Sequence, residues 1–96
     1  MRRNDIQSIG DAIHEFLKKS GLEKQFLEAR IINDWEDIIG TNVAKSTKNI
    51  YISNRTLHIK VNSSIVRAEL YMIREGLVST INARAGKSII DKIDLH

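Results

Sequence analysis

The chain contains no cysteine and no proline, and aromatic residues make up only 5% of it. Without cysteine there is no disulfide framework and no thiolate metal site, which fits a reducing cytoplasm. Without proline, breaks between elements must be marked by glycine and asparagine. The five glycines are isolated from one another, and no Gly-x-x-x-x-Gly-Lys-Ser/Thr phosphate loop occurs. No apolar run approaches the roughly 20 residues needed to span a bilayer. Met1-Arg2-Arg3-Asn4-Asp5 is not followed by a signal-peptide-like apolar stretch. The expectation is a cytoplasmic chain with no membrane partner.

What is present suits one domain, residues 1–96, in which 42% hydrophobic residues can form a single core. A formal charge of +3 and a pI near 9.4 permit a polyanionic partner without demanding one.

The pattern predicts an α+β fold of order α-α-β-β-α-β. A first helix is expected from Asp5 to Lys19, capped by Asn4 or Asp5 and ended by a left-handed turn at Gly21. Ile6, Ile9, Ile13, Phe16 and Leu17 form its apolar stripe. A second helix is expected over 23–39, burying Leu22, Phe26, Ala29, Ile32, Trp35 and Ile39, with Gly40 as its stop. Residues 41–47 read as a loop or a single helical turn. Then Ile50 and Ile52, and Leu57, Ile59 and Val61, alternate with polar residues, marking two half-buried strands. Asn54-Arg55 is the tight turn between them. Ser63 or Ser64 caps a long helix to Arg84, with Val66, Leu70, Ile73, Leu77 and Ile81 inward and Gly86 as its break. Ile89 to Leu95 reads as a last strand. The strand–helix–strand unit favours a right-handed crossover, placing that strand parallel to the second. The result is a three-stranded mixed sheet with helices on one face and the other face partly open.

Catalytic chemistry finds little support. His14, His58 and His96 are far apart in the sequence, so no metal set and no cofactor is expected. Asp34, Glu36 and Asp37 flank Trp35 but alternate with core positions, which reads as a solvated face rather than acid–base machinery. Ser63 and Ser64 have no neighbouring histidine and are accounted for by capping. Trp35 reads as core, since it shares the stripe of Ile32 and Ile39. The expectation is a protein that is not an enzyme.

Function is then expected in surfaces. Arg2, Arg3, Lys45, Lys48, Arg55, Lys60 and Arg67 are scattered basic residues. Together with Tyr51 and His58 on an uncovered sheet face, they are candidates for phosphate contact and base stacking. Tyr71, Met72 and Arg74 lie off the core stripe of the long helix and are the candidate partner contact, an ordinary half-exposed rim being the plainer alternative.

One ordered set of residues goes further: Trp35-x-x-Ile38-Ile39-Gly40, a polar segment with Ala44 and Thr47, Leu57-x-Ile59-x-Val61, Ser63-Ser64, Ala68-Glu69-Leu70, then Ile81-Asn82 and Gly86. In order and spacing it resembles the DciA-like family, long catalogued as a domain of unknown function, over about Ile6 to Leu95. The short form ending at His96 looks like members from Bacteroidetes-type bacteria. The resemblance implies a fold similar to a type II KH domain. It also implies a role in DNA replication: binding the DnaB-type replicative helicase, helping to load it, and binding DNA, single-stranded or duplex. Two departures stand out. KH domains clamp nucleic-acid backbone with a GxxG loop between two helices, and here one continuous helix and no GxxG is found. Better-studied members also carry a disordered extension. An RNA-binding KH-like protein and a pure protein-interaction module are the alternatives.

Overall fold

The computed structural model describes residues 3–96, with side chains from Ile9 onward. Helix α1 spans Arg3–Ser20, α2 Glu23–Asn33, α3 Trp35–Ile39 and α4 Thr41–Ser46. Strands β1 (Thr47–Ser53) and β2 (Thr56–Val61) precede the long α5 (Ser64–Ala85) and β3 (Lys92–Leu95). The sheet order is β1-β2-β3, with β1 antiparallel and β3 parallel to the central β2. The mixed three-stranded sheet is the one the alternation predicts.

Local chemistry sets the boundaries. Asn54 and Arg55 both take positive φ, 52° and 59°, the paired left-handed geometry whose twist suits a two-residue hairpin. The Ser63 hydroxyl accepts from Val66 N at 3.3 Å and caps α5. Gly86 closes α5 at φ 84°, where a side chain would be strained. The expected turn of residues 41–47 is the six-residue α4.

The core joins Leu27, Ile31 and Trp35 to Leu57, Ile59 and Val61 of β2. Leu70, Leu77 and Ile81 of α5 complete it with Ile89, Ile90 and Ile93. Leu57, Ile59 and Ile81 are fully buried. Helix α2 packs along β1, and α5 along β2 and β3, so the sheet is covered on that side.

Four expectations need correction. The second helix is broken at Asp34, whose N–H is shared between Arg30 O at 2.9 Å and Ile31 O at 3.2 Å. Asn33 and Asp34 are weak helix formers that compete for backbone hydrogen bonds. The break lets Trp35 point inward, 5% exposed, with Nε1 donating to Thr47 Oγ1 at 3.0 Å, and Thr47 donating in turn to Val43 O at 2.8 Å. The buried stripe of α2 is therefore Leu27 and Ile31, while Leu22, Phe26 and Ala29 stay exposed.

Much of the α1 stripe is exposed, although Leu17 is half-buried and the side chain of Ile6 lies outside the described residues. Ile9, Ile13 and Phe16 are all more than half exposed, because α2 is the main neighbour α1 meets. Ile73 is also exposed; it faces a groove between α3 and α5 lined by Ile38, Ile39 and Met72, where Gly76 offers no side chain to close the gap. Finally, the last strand begins at Lys92 rather than Ile89. Ile89 and Ile90 are buried, but Asn82 holds their backbone instead of a ladder.

Candidate nucleic-acid interface

The uncovered face of the sheet is built by the pleat. In β2, Leu57, Ile59 and Val61 point to the helices, so His58 and Lys60 point away. The register sets Tyr51 of β1 opposite His58, and Asp94 of β3 on the other side of it. One row across the open face therefore reads Tyr51, His58, Asp94. His96 extends β3 by a further step: its N–H donates to Ile59 O at 2.9 Å, and its carbonyl accepts from Val61 N at 3.1 Å. Two residues beyond Asp94 in an extended chain, it returns to the same face.

The rings on this face are ordered. Tyr51 and His58 stack with centres 4.6 Å apart and planes 11° apart. His58 and His96 lie 6.0 Å apart at 13°. Tyr51 is about half exposed, which leaves ring surface open to solvent. Asn49, Tyr51, His58, Lys60 and His96 line one shallow hollow. Asp94 Oδ2 sits 3.6 Å from His58 Nδ1 and 3.3 Å from His96 Nε2. His58 Nδ1 is shielded from solvent and makes no hydrogen bond.

The basic residues divide. Lys60 is exposed on the open face, opposite Asn49. Lys45 and Lys48 are exposed at the join of α4 and β1, where the register shifts between Thr47 and Asn49, at the same end of the sheet. Arg55 is committed elsewhere. Its Nε and Nη2 donate to both oxygens of Asp91 at 3.0 and 2.9 Å, and Nη1 and Nη2 reach Ser88 O and Oγ at 3.1 and 2.7 Å. This fork fixes the hairpin turn to the segment before β3, and it holds the Asp91 carboxyl below its ordinary range. Arg67 lies on α5 with Nη2 donating to Val61 O at 3.3 Å, beside Ala68, Tyr71 and Leu95 rather than on the open face. Arg84 bridges Asp34 at 3.4 Å and Asp37 at 3.6 Å, which gives that acidic cluster a structural role. Arg2 lies outside the described residues, as does the side chain of Arg3.

On α5, Tyr71 and Met72 are exposed, and the Arg74 guanidinium lies 3.7 Å from the centre of the Tyr71 ring. Arg74 Nη1 also donates to Tyr71 O at 2.7 Å, so Arg74 contacts both the ring and the carbonyl of Tyr71. Tyr71 and Met72 line a hollow with Ser64, Arg67, Ala68 and Leu95.

The structure thus brings Tyr51, His58 and Lys60 together and sets Arg55 and Arg67 apart. It adds Asp94, which the sequence reading passed over, and His96, which that reading set aside as far from the other histidines. The expectation that the histidines are too distant to act together fails for His58 and His96. The alternation of Lys92-Ile93-Asp94-Leu95-His96 carries that signal once β3 is placed parallel to β2.

A UPF0232 protein of Mycobacterium leprae (strain TN) is 23% identical over 91 residues, covering 95% of this chain and 48% of the relative. A UPF0232 protein of Corynebacterium glutamicum (strain R) is 22% identical over 87 residues, 91% of this chain and 49% of its own length. A third, from Mycobacterium tuberculosis (strain ATCC 25618 / H37Rv), is 21% identical over 91 residues, covering 95% of this chain and 49% of the relative. The chain spans about half the length of these curated relatives. No solved structure is a significant match. The family model described as Dna[CI] antecedent, DciA, matches residues 8–95, and the chain belongs to the DciA family.

Proposed function

We propose that this domain is a non-enzymatic adaptor that binds nucleic acid across the open face of its sheet while contacting the DnaB-type replicative helicase. The observation that carries the first half is the row of rings formed by Tyr51, His58 and His96 beside Lys60. An exposed ring can stack on a base of any identity, and stacking of this kind is worth about 1–3 kcal/mol per base. Lys60 lies on this surface, and Lys45 and Lys48 are exposed at the same end of the sheet, where a phosphate backbone would run. Stacking and phosphate contact do not depend on base identity, so the binding is largely sequence-tolerant. The helicase half rests on the family, which is linked to loading of DnaB.

The test compares matched single-stranded DNA, duplex DNA and RNA oligomers by fluorescence anisotropy, for the parent and for Tyr51→Ala. Single strands should bind tighter than duplex, since only unpaired bases can stack. Tyr51→Ala should weaken single-strand binding about tenfold, the equivalent of about 1.4 kcal/mol. Equal affinity of parent and variant would remove the stacking role. A clear preference for RNA would favour the KH-like RNA-binding reading.

A second reading, protein interaction alone, draws on a different observation. Ile65, Tyr71, Met72 and Ile73 are all exposed on α5, away from the open sheet face. Binding to helicase with none to any oligomer would favour it.

A further inference from the structure

We infer that His58, Asp94 and His96 form a divalent transition-metal site of the zinc class on the open face of the sheet. Three donors of the right kinds converge there: two imidazole nitrogens and one carboxylate oxygen, all within 4.8 Å of one another. Imidazole with a single carboxylate suits zinc and its neighbours. All-oxygen sites suit calcium and magnesium instead.

The spacing fits. With zinc–ligand bonds of about 2.0–2.1 Å, the edges of a tetrahedron are about 3.3 Å long. Asp94 Oδ2 stands 3.3 Å from His96 Nε2 and 3.6 Å from His58 Nδ1, close to two such edges. Small rotations of the exposed Asp94 and His96 side chains would complete the third. Their backbones need not move, because β3 is paired with β2 and His96 bonds both ways to Ile59 and Val61. Three protein ligands leave a fourth position for water or for a group from a bound partner.

The independent observation is His58 Nδ1. It is shielded from solvent, lacks a hydrogen bond, and sits on the side of the ring where Asp94 lies. A shielded ring nitrogen with no hydrogen bond costs free energy, and a metal ion set between it and Asp94 would remove that cost. The Tyr51 ring, stacked on His58 at 4.6 Å, restricts the imidazole to this orientation.

The site is read with metal alone, so it stands or falls apart from the nucleic-acid proposal. Untagged protein is titrated with Co²⁺, reading the visible d–d bands, and with Zn²⁺ against a chromogenic chelator. The parent should bind one equivalent. Asp94→Asn and His96→Ala should each weaken binding at least about tenfold, since even outer-shell changes at metal sites cost that much. His14→Gln, which alters the histidine on α1, should bind like the parent. Both site variants replace half-exposed side chains, and thermal melts without metal should show them as stable as the parent. Added Zn²⁺ should raise the parent's melting temperature and leave theirs unmoved. Failure of the parent to saturate at one equivalent would overturn the inference, and so would equal affinity in the parent and the two site variants.

Discussion

Asn82 holds Ile90 by both of its backbone polar groups. Its Nδ2 donates to Ile90 O at 3.0 Å, and its Oδ1 accepts from Ile90 N at 3.1 Å and from Ile89 N at 2.9 Å. Ile89 and Ile90 are buried, 3% and 1% exposed, in a segment that belongs to no strand. One side-chain amide therefore replaces the ladder that a longer β3 would supply. Asn82→Ala should cost about 2–4 kcal/mol, because it leaves several buried backbone groups unpaired. Asn82→Asp, which keeps the acceptor and loses the donor, should cost less. Urea unfolding of the three proteins measures both, and a loss below about 1 kcal/mol for Asn82→Ala would contradict this account.

Trp35 should behave as a stability residue. It fills the core where α2, α3 and β1 meet, and its one polar atom is satisfied by Thr47. Trp35→Ala should cost about 3–5 kcal/mol, much of the roughly 5–10 kcal/mol a small domain holds. Thr47→Val should cost less, about 1–3 kcal/mol, by leaving the indole N–H unpaired in the interior. Circular-dichroism melts give the ranking, and a Trp35→Ala protein that melts like the parent would remove Trp35 from the core.

The fork between Arg55 and Asp91 predicts an acid limb. The Asp91 carboxyl is held below its ordinary value chiefly by its hydrogen bonds to Arg55, and the Glu23 carboxyl is lowered by Lys87 at 2.9 Å. A carboxylate whose folded pKa is depressed contributes stability above its unfolded pKa, and loses it as pH falls through the folded one. Both pairs are open to solvent on at least one side, so the effect is small. Melts taken from about pH 7 to about pH 3 should show the parent losing stability, with Asp91→Asn losing less over the same range. Identical acid limbs in the two proteins would rule Asp91 out as a source.

The hairpin and the mixed sheet were legible in the sequence because period-two alternation in Ile50 to Val61 has one reading once Asn54-Arg55 supplies the turn. The helical stripes were less legible. On α2, two overlapping stripes meet at Trp35, and only the break at Asp34 decides between Phe26 and Leu27. On α1 the stripe is real as a pattern, yet a pattern cannot show that nothing packs on Ile9, Ile13 and Phe16. Likewise, Arg55 reads as a free basic residue until β3 brings Asp91 to it, and His96 reads as a stray end until β2 pairs with it. For Arg55 and His96, what escaped the sequence is a contact between residues far apart along the chain.

Uncovered α1 makes a further prediction. Substitution of its exposed apolar residues should leave the fold intact, since surface changes usually stay within about 0.5 kcal/mol. Ile13→Glu combined with Phe16→Glu should melt within a few degrees of the parent. A large loss of stability would show that the stripe is buried in solution, and sedimentation of the parent would reveal whether a second copy does the burying.

Lysines at the end of the open face should set the salt dependence of nucleic-acid binding. Lys45, Lys48 and Lys60 are exposed there, whereas Arg55 is occupied by Asp91 and Ser88. With roughly three phosphates engaged, log K should fall with log salt at a slope near −2 to −3, taking about −0.7 to −0.9 per phosphate. Lys48→Ala with Lys60→Ala should flatten that slope by about one to two units. An affinity that ignores salt would end the electrostatic account.

The last prediction concerns the helicase. Tyr71 and Met72 are 57% and 77% exposed on one flank of α5, and Arg74 braces the Tyr71 ring by lying over it and bonding its carbonyl. An exposed apolar pair beside a cation–aromatic contact offers the residue types, aromatic and Arg, that are the usual sources of interface energy. The flank faces away from the open sheet face, so one domain can engage protein and nucleic acid at once. A hexameric helicase offers several copies of any contact, and a weak single contact gains through multivalency. Helicase from the same organism should therefore bind at micromolar strength or better, about −8 kcal/mol. Met72→Glu with Tyr71→Ala should weaken binding at least about tenfold, and because both side chains are exposed, the fold should survive. Calorimetry with the purified proteins measures both effects. No binding by the parent at concentrations near about 100 μM, where a micromolar contact would be saturated, would remove the helicase from the proposal. Binding unaffected by the double variant would instead move the contact off this flank, and the exposed stripe of α1 would be the next surface to alter.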